Sequence, residues 1–375
     1  MDSEISALTE WATAGGVILN GIAPKRMPGR GIGIICTRKI RAGEDVLMIP
    51  ETSFRTLGNT PATVREKLKD ARVHAILATN LVLDKAPELD MWSAVLPTKE
   101  DFQMLMPFCW PPELQALLPH SSSNELVKQK AAFNSDWEVV NAAYAGEIAK
   151  DDFLYAWLLV NTRTFYHADQ STKSRPKEDH MILQPVADLL NHAAHGCSLS
   201  FEGHEFTVTT VRDHEAGEEI FISYGSHSND FLLVQYGFVL PSTSNPWDEI
   251  CLDPYIIPQL IAAGQKDRLE EAGFWGRYML DSETPCYRTD VALRSLCLTP
   301  TQWQAVLDGE RDEDEDREVM NNELLKVLER AAADATAKLE TLSTLAAGEE
   351  AMRLSLKSRW LQMGALLRRT IARLQ

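Results

Sequence analysis

The spacing of apolar residues changes period several times along the chain, and each change predicts a different kind of element. Residues 3–14 predict a short helix, after which Pro24, Pro28 and the glycines at 21, 29, 31 and 33 force an extended, turn-rich passage. Gly33-Ile34-Ile35-Cys36-Thr37 and Val46-Leu47-Met48-Ile49-Pro50 are β-branched or apolar runs, and Arg41-Ala42-Gly43-Glu44 between them reads as a turn. From about 61 to 166 the chain is rich in Ala, Leu, Glu and Lys. Apolar positions recur there at three and four, as in Val73, Ile76, Leu77, Leu81 and later Phe153, Trp157, Val160, which predicts helices. The polar stretch 167–182 has a proline and no period and predicts a surface loop.

Strand patterning returns in Leu199-Ser200-Phe201 and Phe206-Thr207-Val208-Thr209-Thr210-Val211, joined by a Glu202-Gly203-His204 turn, and again in Glu219-Ile220-Phe221-Ile222-Ser223-Tyr224. Helices are expected after Pro241 and Pro246. In the last of them Leu356, Trp360, Met363, Leu367, Ile371 and Leu374 form one apolar stripe that suits packing inside a helical lobe. A run with eight acids among the eleven residues 308–318 reads as a solvated loop before a helix. The pattern divides the chain into 1–60, 61–166, 167–240 and 241–375.

Composition narrows the function. With 375 residues, 45% hydrophobic and 24% charged, the chain is an ordinary globular one, long enough for two lobes. Lys+Arg 37 against Asp+Glu 54 leaves a net charge of −17, which disfavours a nucleic-acid surface and suits a basic partner. The six cysteines at 36, 109, 197, 251, 286 and 297 are never in the short pairs that hold zinc, and read as reduced and mostly buried. The N-terminal residues lack a basic segment followed by an apolar core, and no window approaches the roughly 18 apolar residues of a membrane span. A cytoplasmic or nuclear protein, monomeric and away from membranes, is expected.

Several chemistries lack their residues. Arg30-Gly31-Ile32-Gly33 is followed by a strand, with Cys36 where a dinucleotide fingerprint has its third glycine, so a Rossmann reading fails; its glycines could instead admit a ligand to the backbone or simply turn the chain. Asp188, His192, His195, His204 and His214 lack any known metal-ligand spacing, and no metal is expected. Neither a Gly-x-Ser-x-Gly elbow nor a phosphate loop occurs. Asn191-His192 lies where the chain is expected to turn sharply, either as structural clamps or facing a ligand. Tyr224-Gly225 and Tyr236-Gly237 each end an apolar stretch, placing phenolic hydroxyls where glycine lets a ligand approach.

Taken in order, Arg30-Gly31-Ile32-Gly33, Ala42-Gly43-Glu44, Thr162-Arg163-Thr164-Phe165, residues 185–192, Ile222-Ser223-Tyr224-Gly225, Ser228-Asn229 and Tyr236-Gly237-Phe238 resemble a SET-domain methyltransferase. The resemblance is to the branch of the Rubisco large-subunit lysine methyltransferase. It implies an α+β fold: a SET β-fold of short strands with a knot-like crossing, split by a helical insertion (61–166) and followed by an all-helical substrate-binding lobe (241–375).

The resemblance implies S-adenosylmethionine as cofactor and a lysine of a non-histone protein as acceptor. Arg30, Gly31 and Ile32 would line the cofactor pocket, with Thr162 and Arg163 near its methionine end and Asp188, Asn191 and His192 on the adenine and ribose side. Tyr224 would be the catalytic tyrosine, while Tyr236 and Phe238 would border cofactor and lysine, with Phe165 as a further channel wall. No cysteine-rich segment follows Phe238, unlike histone-type relatives, and the acidic surface suits a basic target such as a ribosomal protein, a translation factor or a histone tail, among which charge alone does not choose. The rival readings are a SET-like scaffold without catalysis, and a histidine acceptor, which would benefit from a polar group holding one ring nitrogen.

Overall fold

The computed structural model describes residues 2–375. α1 (Ser3–Ala14) begins at Asp2, whose carboxylate accepts from the amides of Glu4 and Ile5 and caps its first turn. β1 (Ile18–Leu19), β2 (Ile22–Met27), β3 (Gly31–Cys36) and β4 (Asp45–Pro50) follow. The stretch read as helical then forms α2 (Ala62–Lys67), α3 (Val73–Leu83), α4 (Pro87–Ser93), α5 (Lys99–Leu105), α6 (Pro112–Gln115), α7 (His120–Ala143) and α8 (Lys150–Arg163). β5 (Thr164–Tyr166), β6 (Met181–Leu183), β7 (Asn191–Glu202), β8 (Glu205–Thr209) and β9 (Glu219–Ile222) return the chain to strand. α9 (Asn229–Tyr236), β10 (Ile250–Cys251), α10 (Asp253–Ala262), α11 (Lys266–Glu271), β11 (Met279–Leu280), α12 (Tyr287–Cys297), α13 (Pro300–Leu307), α14 (Arg317–Thr344) and α15 (Glu350–Leu374) complete it.

These elements form two compact units: residues up to Phe108 with Val127–Ser226, and Cys109–Leu126 with His227–Gln375. In the first, seven strands lie in the order β1-β4-β8-β7-β9-β3-β2. The pairings are antiparallel except β7 with β9, which run parallel and set Asn191 opposite Phe221 and His192 opposite Ile222. Between His192 and Cys197 the register shifts, and Gly196 lies so close to β9 that a Cβ would stand 2.5 Å from Ile222 Cα. Only glycine permits that approach. α3 buries its seven residues from Val73 to Thr79 in succession, as a helix inside a core must.

Three local expectations need correction. The stretch 167–182 is anchored, not merely a surface loop: Thr172 is buried, and the carboxylate of Asp179 accepts from Val73 N at 2.8 Å, capping α3. The sharp backbone feature is not at Asn191-His192, which open a twelve-residue strand, but at Val186, whose φ of +79° and ψ of −50° are strained for a β-branched residue. Among the described residues no cysteine is in a disulfide, but half of the six are only partly buried.

In the second unit α14 packs on α15, and Leu356, Trp360, Met363 and Leu367 of the stripe are buried while Ile371 and Leu374 are half-exposed. The lobe is helical apart from β10 and β11, which pair antiparallel through two residues each. Arg359, inside α15, is fully buried. Its guanidinium reaches Asp230 at 2.8 Å, Asp248 at 2.7 Å and the carbonyl of Glu249 at 3.0 Å. Burial works against that charge, but the two carboxylates outweigh it and hold the group above its ordinary pKa. The acid run is braced by its own arginines: Arg311 makes two 2.7 Å bonds to Asp316, which is buried, and Arg317 meets Asp314 at 2.7 Å.

Candidate active site

Three segments of the first unit bring most of the assigned residues into direct contact. The first is the turn between β2 and β3, closed by Arg30 N donating to Met27 O at 3.1 Å. Gly31 sits there at φ +73° with no atom within 4 Å of where a Cβ would be, so its backbone is open to a ligand. Gly33 is different, because a Cβ on it would stand 2.5 Å from Glu219 Oε1 and 2.8 Å from Asn191 Nδ2. The space left by that glycine is filled by the protein's own polar groups. Glu219, at the start of β9, has a side chain only 7% exposed; it pairs with Arg30 at 2.8 Å and accepts from Asn191 Nδ2 at 2.7 Å.

The second segment joins the end of α8 to the turn before β7. Arg163 donates to the carbonyl of Asp188 at 2.6 Å and lies 3.4 Å from its carboxylate, while Trp92 Nε1 donates to Asp188 Oδ2 at 2.9 Å. The Asp188 side chain is fully buried; burial raises its pKa, and Arg163 and Trp92 oppose that rise. Asp188 Oδ1 and Arg163 Nε are buried without a hydrogen-bond partner among the described residues. Thr162 turns its hydroxyl back to Leu158 O at 2.8 Å, in its own helix. Val186 strains the chain two residues before Asp188, where backbone of this kind costs about 1–3 kcal/mol and persists only if its surroundings impose it.

The third segment couples β7 to the residues after β9. The backbone amide of Tyr224 donates to His192 Nδ1 at 3.0 Å, which requires that nitrogen to be unprotonated and places the ring proton on Nε2. The two rings stack with centroids 5.0 Å apart. Tyr224 then donates its phenolic hydrogen to Leu190 O at 2.7 Å. The hydroxyl oxygen has acceptor lone pairs as well, so this bond sets its polarity toward a substrate.

Phe165, Tyr236 and Phe238 lie on other segments of the chain. Phe165, in β5, is half-buried and meets Phe206 edge-on at 5.4 Å. Tyr236 and Phe238 belong to the second unit, with ring centroids 6.2 Å apart. Gly237 between them adopts φ +79° and closes α9, and burial pushes the Tyr236 hydroxyl up to about 12. Sequence reasoning missed Glu219 and Trp92. The alternation of β9 carried the only hint for Glu219, since it puts that residue on the same face as Phe221, which pairs with Asn191; nothing marked Trp92.

A cavity of about 830 Å³ also occurs in this unit, lined by Trp11, Phe54, Arg55, Asp84, Tyr144 and Pro185 among others. It touches none of the assigned cofactor residues, so volume alone does not locate this site. The unpartnered groups and the open glycine do so better.

Two families match the chain: the SET domain over residues 31–225, and the Ribosomal lysine N-methyltransferase 2 C-terminal domain over residues 248–373. The chain is 31% identical over 236 residues to ribosomal lysine N-methyltransferase set11 of Schizosaccharomyces pombe, a match spanning 59% of each protein. It is 27% identical over 341 residues to SET domain-containing protein 4 of Homo sapiens, covering 82% of this chain and 76% of that one. A crystal structure of the SET domain of LSMT bound to lysine and AdoHcy shares the fold, with a TM-score of 0.66 at 16% identity over 100% of this chain and 92% of that one.

Proposed function

Because the chain belongs to the SET-domain family, we infer that it is an S-adenosylmethionine-dependent methyltransferase acting on a lysine side chain of a non-histone protein. The observation that carries this reading is the joined arrangement of Tyr224, His192 and Leu190, with Asn191 beside them in β7, all on segments within the family match. The residues fit the cofactor. The carboxylate of the amino-acid end suits the buried, unpartnered Arg163 Nε, and the open backbone at Gly31 admits a close ligand. Arg30, Gly31, Ile32, Thr162, Arg163, Asp188, Asn191 and His192, all of the first unit, are the residues we assign to it.

When bound, S-adenosylmethionine supplies a methyl group on a cationic sulfur, open to in-line displacement by a neutral amine. The protein's task is positioning and exclusion of water. A lysine with an ordinary pKa near 10.4 must lose its proton, and an apolar channel beside a positive charge favours that by burial and by like-charge repulsion. Phe165, in the first unit, is the aromatic wall we assign to the aliphatic stem. Tyr224, its own hydrogen committed to Leu190 O, presents oxygen lone pairs to the amine N–H and orients its attack.

The domain reading is 1–60 and 167–240 as the two parts of the SET domain, 61–166 as the insertion and 241–375 as the substrate lobe. The match of residues 248–373 to a C-terminal domain supports the last of these. A basic ribosomal or translation protein is the substrate class we favour, on the net charge of −17 and the ribosomal relatives. A monomer in the cytosol or nucleus is the reading we keep, and six cysteines without a disulfide among the described residues suit a reducing compartment. Among the described residues no helix is long and apolar enough to cross a membrane.

The test mixes purified protein with radiolabelled S-adenosylmethionine and a fractionated cell extract. Labelled protein bands that vanish with Tyr224→Phe, and that yield methyl-lysine on hydrolysis, are the expected result. Absence of cofactor binding by calorimetry would sink the reading, and methyl-histidine would move the acceptor.

A further inference from the structure

We propose that Glu219 is a positioning residue for the cofactor site, fixing which way the side-chain amide of Asn191 faces. This rests on the assignment of Asn191 to the cofactor. One carboxylate holds two of the assigned residues at once: Oε2 meets Arg30 at 2.8 Å and Oε1 accepts from Asn191 Nδ2 at 2.7 Å. The same Nδ2 lies 3.4 Å from the carbonyl of Ile32. Both amide hydrogens of Asn191 therefore face protein acceptors, and its Oδ1 is left as the acceptor turned away from them. An amide is otherwise ambiguous, since its oxygen and nitrogen have nearly the same shape. A buried carboxylate removes the ambiguity because it only accepts.

Gly33 is the second observation. Its φ is not in the left-handed region, so the backbone alone does not demand glycine there. What an added methyl would meet is the pair Glu219 Oε1 and Asn191 Nδ2, at 2.5 and 2.8 Å, with the Glu219 carboxyl carbon next at 3.2 Å. The missing Cβ is thus a fitted space for this hydrogen bond, which lies between Gly33 of β3 and the strand that leads to Tyr224. The ligand chemistry follows from the polarity. Asn191 Oδ1 is set to receive a hydrogen-bond donor, which S-adenosylmethionine carries as its ammonium, its adenine amino group and its ribose hydroxyls.

The test measures S-adenosylmethionine affinity by calorimetry, and KM and kcat with the methyl-accepting fraction, for Glu219→Gln, Asn191→Ala and the double variant. Glu219→Gln keeps shape but loses the exclusive acceptor. The expected result is a rise of about tenfold or more in Kd and KM for S-adenosylmethionine, exceeding the fall in kcat. In the Asn191→Ala background the same change should add less than about twofold, because the amide to be oriented is gone. Gly33→Ala should reproduce the loss of affinity in the otherwise native chain. Unaltered affinity in a folded Glu219→Gln protein, or an equal loss in both backgrounds, overturns the positioning role. If Asn191→Ala itself binds as tightly as the native chain, the assignment of Asn191 to the cofactor fails first, and the inference with it.

Discussion

The hydroxyl of Tyr224 donates to the carbonyl of Leu190 at 2.7 Å, so the last residue before β7 dictates the polarity of the phenol that follows β9. Tyr224→Phe deletes that polar contact and keeps the ring stacked on His192. We expect kcat to fall about 100-fold or more, by analogy with removing one preorganised polar group from an active site. Kd for S-adenosylmethionine should change less than about threefold. Steady-state kinetics with calorimetry decides; an unchanged kcat removes Tyr224 from the chemistry.

Trp92 and Asp188 form a second link between distant segments, through the indole N–H at 2.9 Å. Trp92→Phe leaves Asp188 Oδ2 only the 3.4 Å approach of Arg163 and opens space in the core. A loss of about 2–4 kcal/mol in unfolding free energy is expected from the two effects together. In an Asp188→Asn background the loss should be smaller, and urea denaturation of the four proteins measures the difference.

His74 gives the first unit a pH response. It is buried against Trp157, both ring nitrogens lack a hydrogen bond, Arg72 is nearby and Asp136 lies 3.8 Å away. Burial, then Arg72, pushes its pKa from 6.5 down to about 3. The unfolded chain therefore takes up this proton first. The stability tied to the neutral ring is complete above about pH 6.5 and declines as the pH falls toward 3. Between pH 6.5 and 5 the decline should be about 2 kcal/mol. His74→Leu should flatten that part of the stability curve, read by chemical denaturation at several pH values.

Much of the architecture was legible because it is written in short-range pattern. The strand β9 just before Tyr224, the hairpin of β7 and β8, and the buried core of the α15 stripe are set by residues within a few turns or pleats of one another. Most of the assigned site also lies on segments whose motifs are local. What stayed hidden depends on pairs remote in sequence. Glu219 meets Arg30 across the sheet, Trp92 meets Asp188 from the helical insertion, and Arg359 finds its carboxylates far upstream. A charge inside an apolar stripe reads as exposed until its partners are in place. The strain at Val186 was invisible for the same reason, since only the surrounding fold makes a valine accept that conformation.

Arg359→Met tests the buried cluster of the second unit. Removing the cation strands Asp230 and Asp248, and a buried pair broken on one side costs about 3–5 kcal/mol. Adding Asp230→Asn and Asp248→Asn should recover part of that loss. Thermal and urea unfolding of the single and triple variants provide the comparison; equal stability of native and Arg359→Met proteins would show the cluster to be dispensable.

That cluster also imposes an order in time. Asp248 and Asp230 leave the peptidyl-transfer centre 111 and 129 residues ahead of Arg359, an interval of about 6–26 s at synthesis rates of about 5–20 residues per second. During that interval two carboxylates destined for the interior have no cation to follow them in. The nascent second unit must keep them hydrated, with the segment carrying α9 exposed, until α15 emerges. Translation speed across the 111 codons between Asp248 and Arg359 thus sets how long a half-built lobe is open to chaperones and to aggregation.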